Sequence, residues 1–374
     1  MIILPSNIQN SAAYKPGQSI EEIREKYGLT DLIKLASNEN PLGASPIALE
    51  YAKQAVEKAS IYNDGGMALR KAIAQRFGVG FEQVICHNGS DALIHTAIRA
   101  FTDSQHDTLL SAQGTFAGFT VAASLSGAKK KLIPLTKDYR FDVDALADAI
   151  EPTTKILYIA NANNPTGTYI TGEEYERLMA KVPDSVLVIM DEAYFEYSRD
   201  LEQDYPDSLS YTYPNVLTLR TFSKVYGLAS LRIGYGIASP EIIDAMMRVK
   251  LSFDPTGPGA AAGLGALQDE EFLRATVEMN SSELRRIYAK TLEWGLRVPY
   301  SAANFIMIEC FSVENAQALY ERLLRKGIIT RPLQGFGMPT CVRISTGLPL
   351  QNDRMLATVE ELIADMPELI MNEQ

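Results

Sequence analysis

The chain is poor in the residues on which several enzyme classes depend. It has only three cysteines, Cys86, Cys310 and Cys341, far apart and without a paired spacing. That argues against a disulfide framework and fits small buried hydrophobes in a reducing, cytoplasmic compartment. Its three histidines, His87, His95 and His106, form no metal-ligand pattern with those cysteines or with nearby carboxylates. A zinc or di-metal enzyme is therefore not expected. No apolar run approaches the ~20 residues that cross a bilayer, and the opening MIILPSNIQN lacks the basic start of a secretory signal. Positive charge is also scarce. Lys+Arg number 35 against 46 Asp+Glu, a net charge of −11, with no dense basic run. Such a surface disfavours indiscriminate binding to nucleic acid or anionic membrane, yet leaves room for a local basic pocket around a small phosphate. Neither GxxxxGK[ST] nor a strand followed by GxGxxG occurs, which removes the usual nucleotide-binding loops.

What remains is 374 residues of ordinary globular composition, 46% hydrophobic and 22% charged, long enough for two domains. Residues 1–45 are polar and punctuated by Pro and Gly. A short amphipathic helix is predicted over 19–27 under a Ser19/Glu22 capping box, followed by the turn-rich LASNENPLG. Helices are predicted over 46–59 and 67–77, the second stopped by Gly78. From there strands and helices alternate. Strands are predicted at 84–86, 108–111, 131–135, 156–160, 186–190, 216–219 and 233–238, several of them unbroken apolar runs that suit parallel strands buried on both faces. The expectation is an α/β fold, a large domain over 46–270 with a mainly parallel seven-stranded sheet flanked by helices. A long charged helix over 269–294 leads into short strands at 305–309, 328–330 and 341–344, with helices over 313–326 and 352–365. This reads as a small α+β domain, 271–374, joined by the N-terminal arm 1–45.

Ligands of open parallel sheets bind beyond the carboxyl ends of the strands. Four predicted strand ends deliver polar groups there: HNGSD, NANNPTG, DEAY and RTFSK. Within TFSKVYGLASLRIG a hydroxyl (Ser223), an amine (Lys224) and a guanidinium (Arg232) fall inside twelve positions. HNGSD opens a helix, whose free N–H groups suit an anion, although Ser90 or Asp91 acting as a plain N-cap would explain it equally. Asp191 follows VLVIM and so sits at a buried strand end, where a carboxylate needs a partner. That partner is a helix N-terminus, a cation or a protonated ring nitrogen. Tyr194 and Asn164, the latter held extended by Pro165, could bond the same ring. Phe116 either stacks on that ring or belongs to the core. An amine, a ring acid, phenolate donors, an aromatic face and an anion cradle together suit a pyridine aldehyde with a phosphate arm, which is pyridoxal 5′-phosphate (PLP).

The motifs YKPG, LASNENPLG, HNGSDAL, ANANNPTGT, DEAYFEY, RTFSKVYGLASLRIGYG, SAANF and VRISTGLP occur in that order. Through them nearly the whole chain resembles the histidinol-phosphate aminotransferase family, class-II PLP enzymes of fold type I. The resemblance implies that Lys224 is the Schiff-base lysine and moves the proton between substrate Cα and cofactor C4′. It implies that Asp191 pairs the ring nitrogen, Asn164 and Tyr194 hold the phenolic oxygen, and Phe116 stacks on the ring. Ser223, Arg232 and the backbone at Gly89, Ser90 and Asp91 would hold the phosphate. Tyr62 would reach the cofactor phosphate of a neighbouring subunit, which implies a homodimer with shared sites. Arg343 would fork a substrate carboxylate, and Tyr14, Asn40 and Arg331 would complete the substrate pocket. Three departures bear on the amino donor: Tyr62-Asn63-Asp64 replaces the common Tyr-Pro-Asp, Ala92 replaces an acidic residue after GSD, and RPLQGFG differs in detail. The expectation is a cytoplasmic ping-pong aminotransferase of histidine biosynthesis, with L-histidinol phosphate as donor and 2-oxoglutarate as acceptor. Alternatives are an aromatic (phenylalanine/tyrosine) aminotransferase, a PLP-dependent decarboxylase of a phosphorylated amino acid, and a non-enzymatic PLP-binding protein.

Overall fold

The computed structural model describes residues 2–9, 20–103 and 105–370. Its strands, in chain order, are β1 (Ile33–Lys34), β2 (Val84–His87), β3 (Thr108–Ala112), β4 (Lys129–Ile133), β5 (Thr154–Ala160), β6 (Leu187–Asp191), β7 (Val216–Thr221), β8 (Gly234–Ile237), β9 (Phe305–Glu309), β10 (Ile328–Ile329), β11 (Arg331–Pro332) and β12 (Cys341–Ser345). The large sheet has seven strands in the order β2-β8-β7-β6-β5-β3-β4. The pairs β7–β6, β6–β5, β5–β3 and β3–β4 are parallel, and only β8 runs against its neighbours β2 and β7. The carboxyl ends of β2, β3, β5, β6 and β7 therefore share one edge with the start of β8. From β3 the chain winds outward to β4, and from β5 it winds the other way to β6 and β7. That reversal creates a ligand crevice at the same edge.

Unbroken apolar runs put both faces of these strands under helices. Ile156, Tyr158, Leu187 and Ile189 pack with the helices Ser90–Phe101, Ala117–Ser126 and Pro240–Val249. The alternate residues Leu157, Ile159, Val188 and Met190 pack with Val143–Asp148 and Gly172–Met179. Burial of this kind contributes ~25 cal/mol per Å2 of apolar surface. The long helix Glu270–Glu293, capped by Asp269, leads to a second core. There the antiparallel sheet β11-β12-β9 lies under Val313–Arg325 and Pro349–Asp365, and β1 pairs with β10 in parallel.

Departures from the sequence expectation have local causes. The strand expected at 131–135 is β4, shifted two residues earlier. It begins KKK at the sheet edge, where lysines guard against edge pairing and hide the strand from an apolar pattern. Helices Ala117–Ser126 and Phe195–Leu201 fall in the helix-like segments expected between strands, without bounds having been set, and Pro240–Val249 and Gly257–Ala266 were not anticipated. The last, GPGAAAGLGA, has no apolar period because its job is close approach. A Cβ on Gly265 would stand 2.9 Å from the Ile47 carbonyl oxygen of the adjacent helix Pro46–Val56. Ser19 of the expected capping box lies outside the described residues, and its helix is described from Ile20 to Tyr27.

Candidate active site

At the shared strand edge lies an open cavity of about 130 Å3. Its phosphate-sized corner is built by β2, β7 and β8. After β2 the chain turns at Gly89, whose φ of +91° favours glycine, into the helix Ser90–Phe101. A Cβ on Gly89 would stand 2.6 Å from Arg232 Nη2. Arg232 itself has φ +50°, an uncommon conformation for a non-glycine residue and one that marks functional positions. Its Nη1 donates to Ser223 Oγ (3.3 Å) and to the Ala229 carbonyl (3.0 Å). Helix N–H groups, a hydroxyl and a guanidinium thus converge, which is an anion cradle.

The cavity also holds an acid. Asp191, the last residue of β6, is buried, and its Oδ2 accepts the Tyr158 hydroxyl at 2.7 Å. Its Oδ1 is buried with no partner. Burial pushes the carboxyl up to about 6, the Tyr158 hydrogen bond opposes that, and Asp91 adds to it.

Lys224 lines the same cavity. Its Nζ donates to the Ser37 carbonyl at 3.3 Å and lies 5.8 Å from the Tyr194 ring centre. Burial, then Arg343, with a smaller push from Arg232, pulls its amine down to about 8. The loop carrying it is pressed against LASNENPLG, since a Cβ on Gly227 would fall 1.9 Å from the Gly43 carbonyl oxygen. Tyr194 accepts from Asn38 Nδ2 at 2.8 Å, and burial raises its phenol. Asn163 pins the NNPTG turn by donating to Gly114 O and Thr166 Oγ1, both at 3.0 Å. The turn presents Asn164, whose Oδ1 accepts from Arg343 Nη1. Arg343, on β12, also donates to Ala36 O at 2.8 Å. Among the described residues no cluster of three His, Cys, Asp or Glu could hold a metal ion.

The family model for aminotransferase class I and II matches residues 30–359. The chain belongs to that family. Among its relatives is the histidinol-phosphate aminotransferase of Geobacillus sp. (strain WCH70), 40% identical over 97% of this chain and 98% of that one. Another is histidinol-phosphate aminotransferase 1 of Nitrosococcus oceani, 38% identical over 96% of each. Among solved structures, histidinol-phosphate aminotransferase from Sinorhizobium meliloti in complex with PLP superimposes with a TM-score of 0.85 at 26% identity, covering 97% of this chain and 98% of that one.

The cavity of this aminotransferase fits PLP. Asp191 Oδ1 is an acceptor awaiting an N–H, the Gly89–Ser223–Arg232 corner suits a phosphate, and Lys224 lines the same cavity. Ser90, Asp91, Phe116, Asn164, Asp191, Tyr194, Ser223, Lys224 and Arg232 all line it, and Gly89 stands against Arg232. Arg343 reaches it through Asn164. Arg331 is the register partner of Arg343 across β11–β12, so the two side chains leave one face of the small sheet. Tyr62 is elsewhere, 80% exposed and stacked on Phe253 with ring centres 4.3 Å apart. Asn40 is turned away from the cavity and donates to Val225 O and Thr276 Oγ1. Tyr14 lies outside the described residues. Two contacts escaped the sequence reading. Tyr158 had a signal, because a phenol inside a buried strand needs a hydroxyl partner. Asn38, at φ +54° and bonded to both Tyr194 and Ser345, had none.

Proposed function

We propose that this aminotransferase moves the amino group of L-histidinol phosphate to 2-oxoglutarate in histidine biosynthesis, with PLP as the carrier, by a ping-pong course. One observation carries the chemistry: Lys224 Nζ shares a cavity with the unpartnered Asp191 Oδ1 and with an anion cradle. PLP, when bound, supplies an electron sink for the bonds at substrate Cα. Asp191 accepts the ring N–H and keeps that sink charged. Asn164 and Tyr194 bond the phenolic oxygen, and Phe116 covers one ring face. Gly89, Ser90, Asp91, Ser223 and Arg232 hold the phosphate. Lys224, with an amine near neutrality, takes the proton from substrate Cα and returns it at C4′.

Arg343 forks the carboxylate of the 2-oxo acid or the phosphate of the donor, and its neighbour Arg331 adds a second cation on the same face. Tyr14 adds to this pocket, and Asn40 acts outside it by holding the Lys224 loop through Val225. The relatives named above carry the histidinol-phosphate name, which favours this donor over aromatic amino acids and over decarboxylation. The exposed strip of Tyr62, Ile61 (72% exposed) and Val56 (56% exposed) supports a homodimer in which Tyr62 serves the partner's phosphate. Three free buried thiols suit the cytoplasm.

Half-reactions test the donor. PLP-loaded protein is mixed with one amino donor at a time, and the cofactor absorbance is followed. L-Histidinol phosphate should convert the cofactor fastest. Rapid conversion by phenylalanine with none by L-histidinol phosphate would overturn the choice. Lys224→Ala should keep its fold and lose turnover, and undiminished transamination by that variant would refute the lysine's role.

A further inference from the structure

Asp191 has two tasks in a buried site. It must aim one oxygen at a ring nitrogen, and it must stay ionised where burial favours the neutral acid. The group that manages both lies one strand away. Tyr158 of β5 is the register partner of Ile189 in β6, and Asp191 stands two residues further along the same face. A phenol reaches such a diagonal neighbour. Its hydroxyl donates to Oδ2 at 2.7 Å, and Oδ1 is left as the free acceptor. The ring is fully buried and lies flat on Phe119, with centres 4.3 Å apart and planes 4° from parallel. Phe119 sits in the first turn of the helix that begins just after Phe116. One helix start thus supplies both an aromatic face for the cavity and the plate that holds Tyr158.

We propose that Tyr158 is a positioning residue for transamination, its hydroxyl turning the Asp191 carboxylate so that Oδ1 faces the cofactor ring and holding that carboxylate ionised. The proposal rests on the ring-nitrogen role given to Asp191 above. Donation to a carboxylate favours the charged form, and it counters both burial and the nearby Asp91. The phenol is a steady donor, because burial and Asp191 push its own ionisation far above its ordinary range.

Tyr158→Phe tests this with the loss of a single oxygen and retention of the stacked ring. Without the donor Asp191 takes up a proton at higher pH. The acid limb of PLP affinity and of kcat should therefore move to higher pH. At neutral pH, PLP should dissociate roughly tenfold more readily, the effect of one lost charge-assisted hydrogen bond. KM for both substrates should hold while kcat falls. The opposite perturbation is 3-fluorotyrosine at position 158, which keeps the shape and strengthens the donor, and it should move the limb to lower pH. A folded Tyr158→Phe with unchanged PLP affinity and an unmoved acid limb overturns the proposal. So does a fall in kcat with the limb in place, or a failure of the fluorinated protein to shift the limb downward. Asp191→Ala run in parallel keeps the premises separate. If it binds PLP and turns over like the parent, the ring-nitrogen role is wrong and the Tyr158 proposal falls with it. If it is impaired while Tyr158→Phe is not, only the Tyr158 proposal is lost.

Discussion

The amine of Lys224 should capture PLP far faster than an ordinary lysine, and Arg343 should be part of the reason. With its pKa pulled down to about 8, roughly a quarter of the amine is neutral at pH 7.5, against ~0.1% for an ordinary lysine. The gain in nucleophilic amine is about 200-fold, before any help from the phosphate cradle. Burial is the larger cause and Arg343 the next. Arg343→Gln removes that cation without touching the phosphate corner, so the Lys224 pKa rises and capture at pH 7 slows by roughly threefold to tenfold. Stopped-flow absorbance of apo protein mixed with PLP across pH 6 to 10 reads this directly. Borohydride reduction followed by peptide mapping confirms that Lys224 is the labelled residue. The parent curve should rise to a plateau with its midpoint near 8, and the variant curve should lie to higher pH. A parent midpoint near 10, or a variant that captures PLP as fast as the parent at pH 7, would refute the reasoning.

Other perturbations follow from the same geometry. Gly89→Ala places a Cβ 2.6 Å from Arg232 Nη2 at φ +91°, so PLP affinity should fall about tenfold or more, in line with ~1–3 kcal/mol of local strain, as read by equilibrium titration. Affinity for PLP should weaken as pH falls through about 6, where the raised Asp191 carboxyl takes up its proton; Asp191→Asn should remove that acid limb. Behind the site, Arg220 donates through Nε and Nη2 to Glu192 Oε2 at 3.0 and 2.8 Å, with the side chains 1% and 0% exposed. Arg220→Met leaves Glu192 uncompensated and should cost ~3–5 kcal/mol in urea unfolding, and adding Glu192→Leu should recover much of it.

The chemistry of this molecule was legible because strand ends are legible. VLVIM before Asp191 and the apolar run before RTFSK announced buried strands, and whatever follows such a strand lies on one edge of a parallel sheet. Order along the chain therefore became proximity in space for Asn164, Asp191, Ser223 and Lys224. Contacts made across strands or between distant loops left no such trace. Asn38 meets Tyr194 only because β1 lies beside β10 and LASNENPLG is pressed on Gly227. Asn40 looked like a pocket residue in the sequence, yet in the structure its amide holds the lysine loop from behind. Tyr62 faces outward, stacked on Phe253 and away from the strand ends that made the other residues legible. Helices made of small residues were missed for a related reason. Their packing depends on what is absent from the side chain, which a hydrophobic period does not register.

The reversed strand β8 has a further effect. Because β7 ends at the active edge and β8 starts there, residues 222–233 form a loop whose two ends are tied to each other by the β7–β8 ladder. Ser223 and Arg232 sit near those ends, so the grip on a phosphate depends on one closed span of the large sheet. Arg343 belongs to the small sheet and donates to Asn164, which follows β5 of the large one. If the small sheet moved a few ångströms from the large one, the carboxylate grip proposed for Arg343 would open and the proposed phosphate grip would not. A carrier that must stay aboard while two different substrates come and go is thus moored to a single hull, and only its passengers use the gangway.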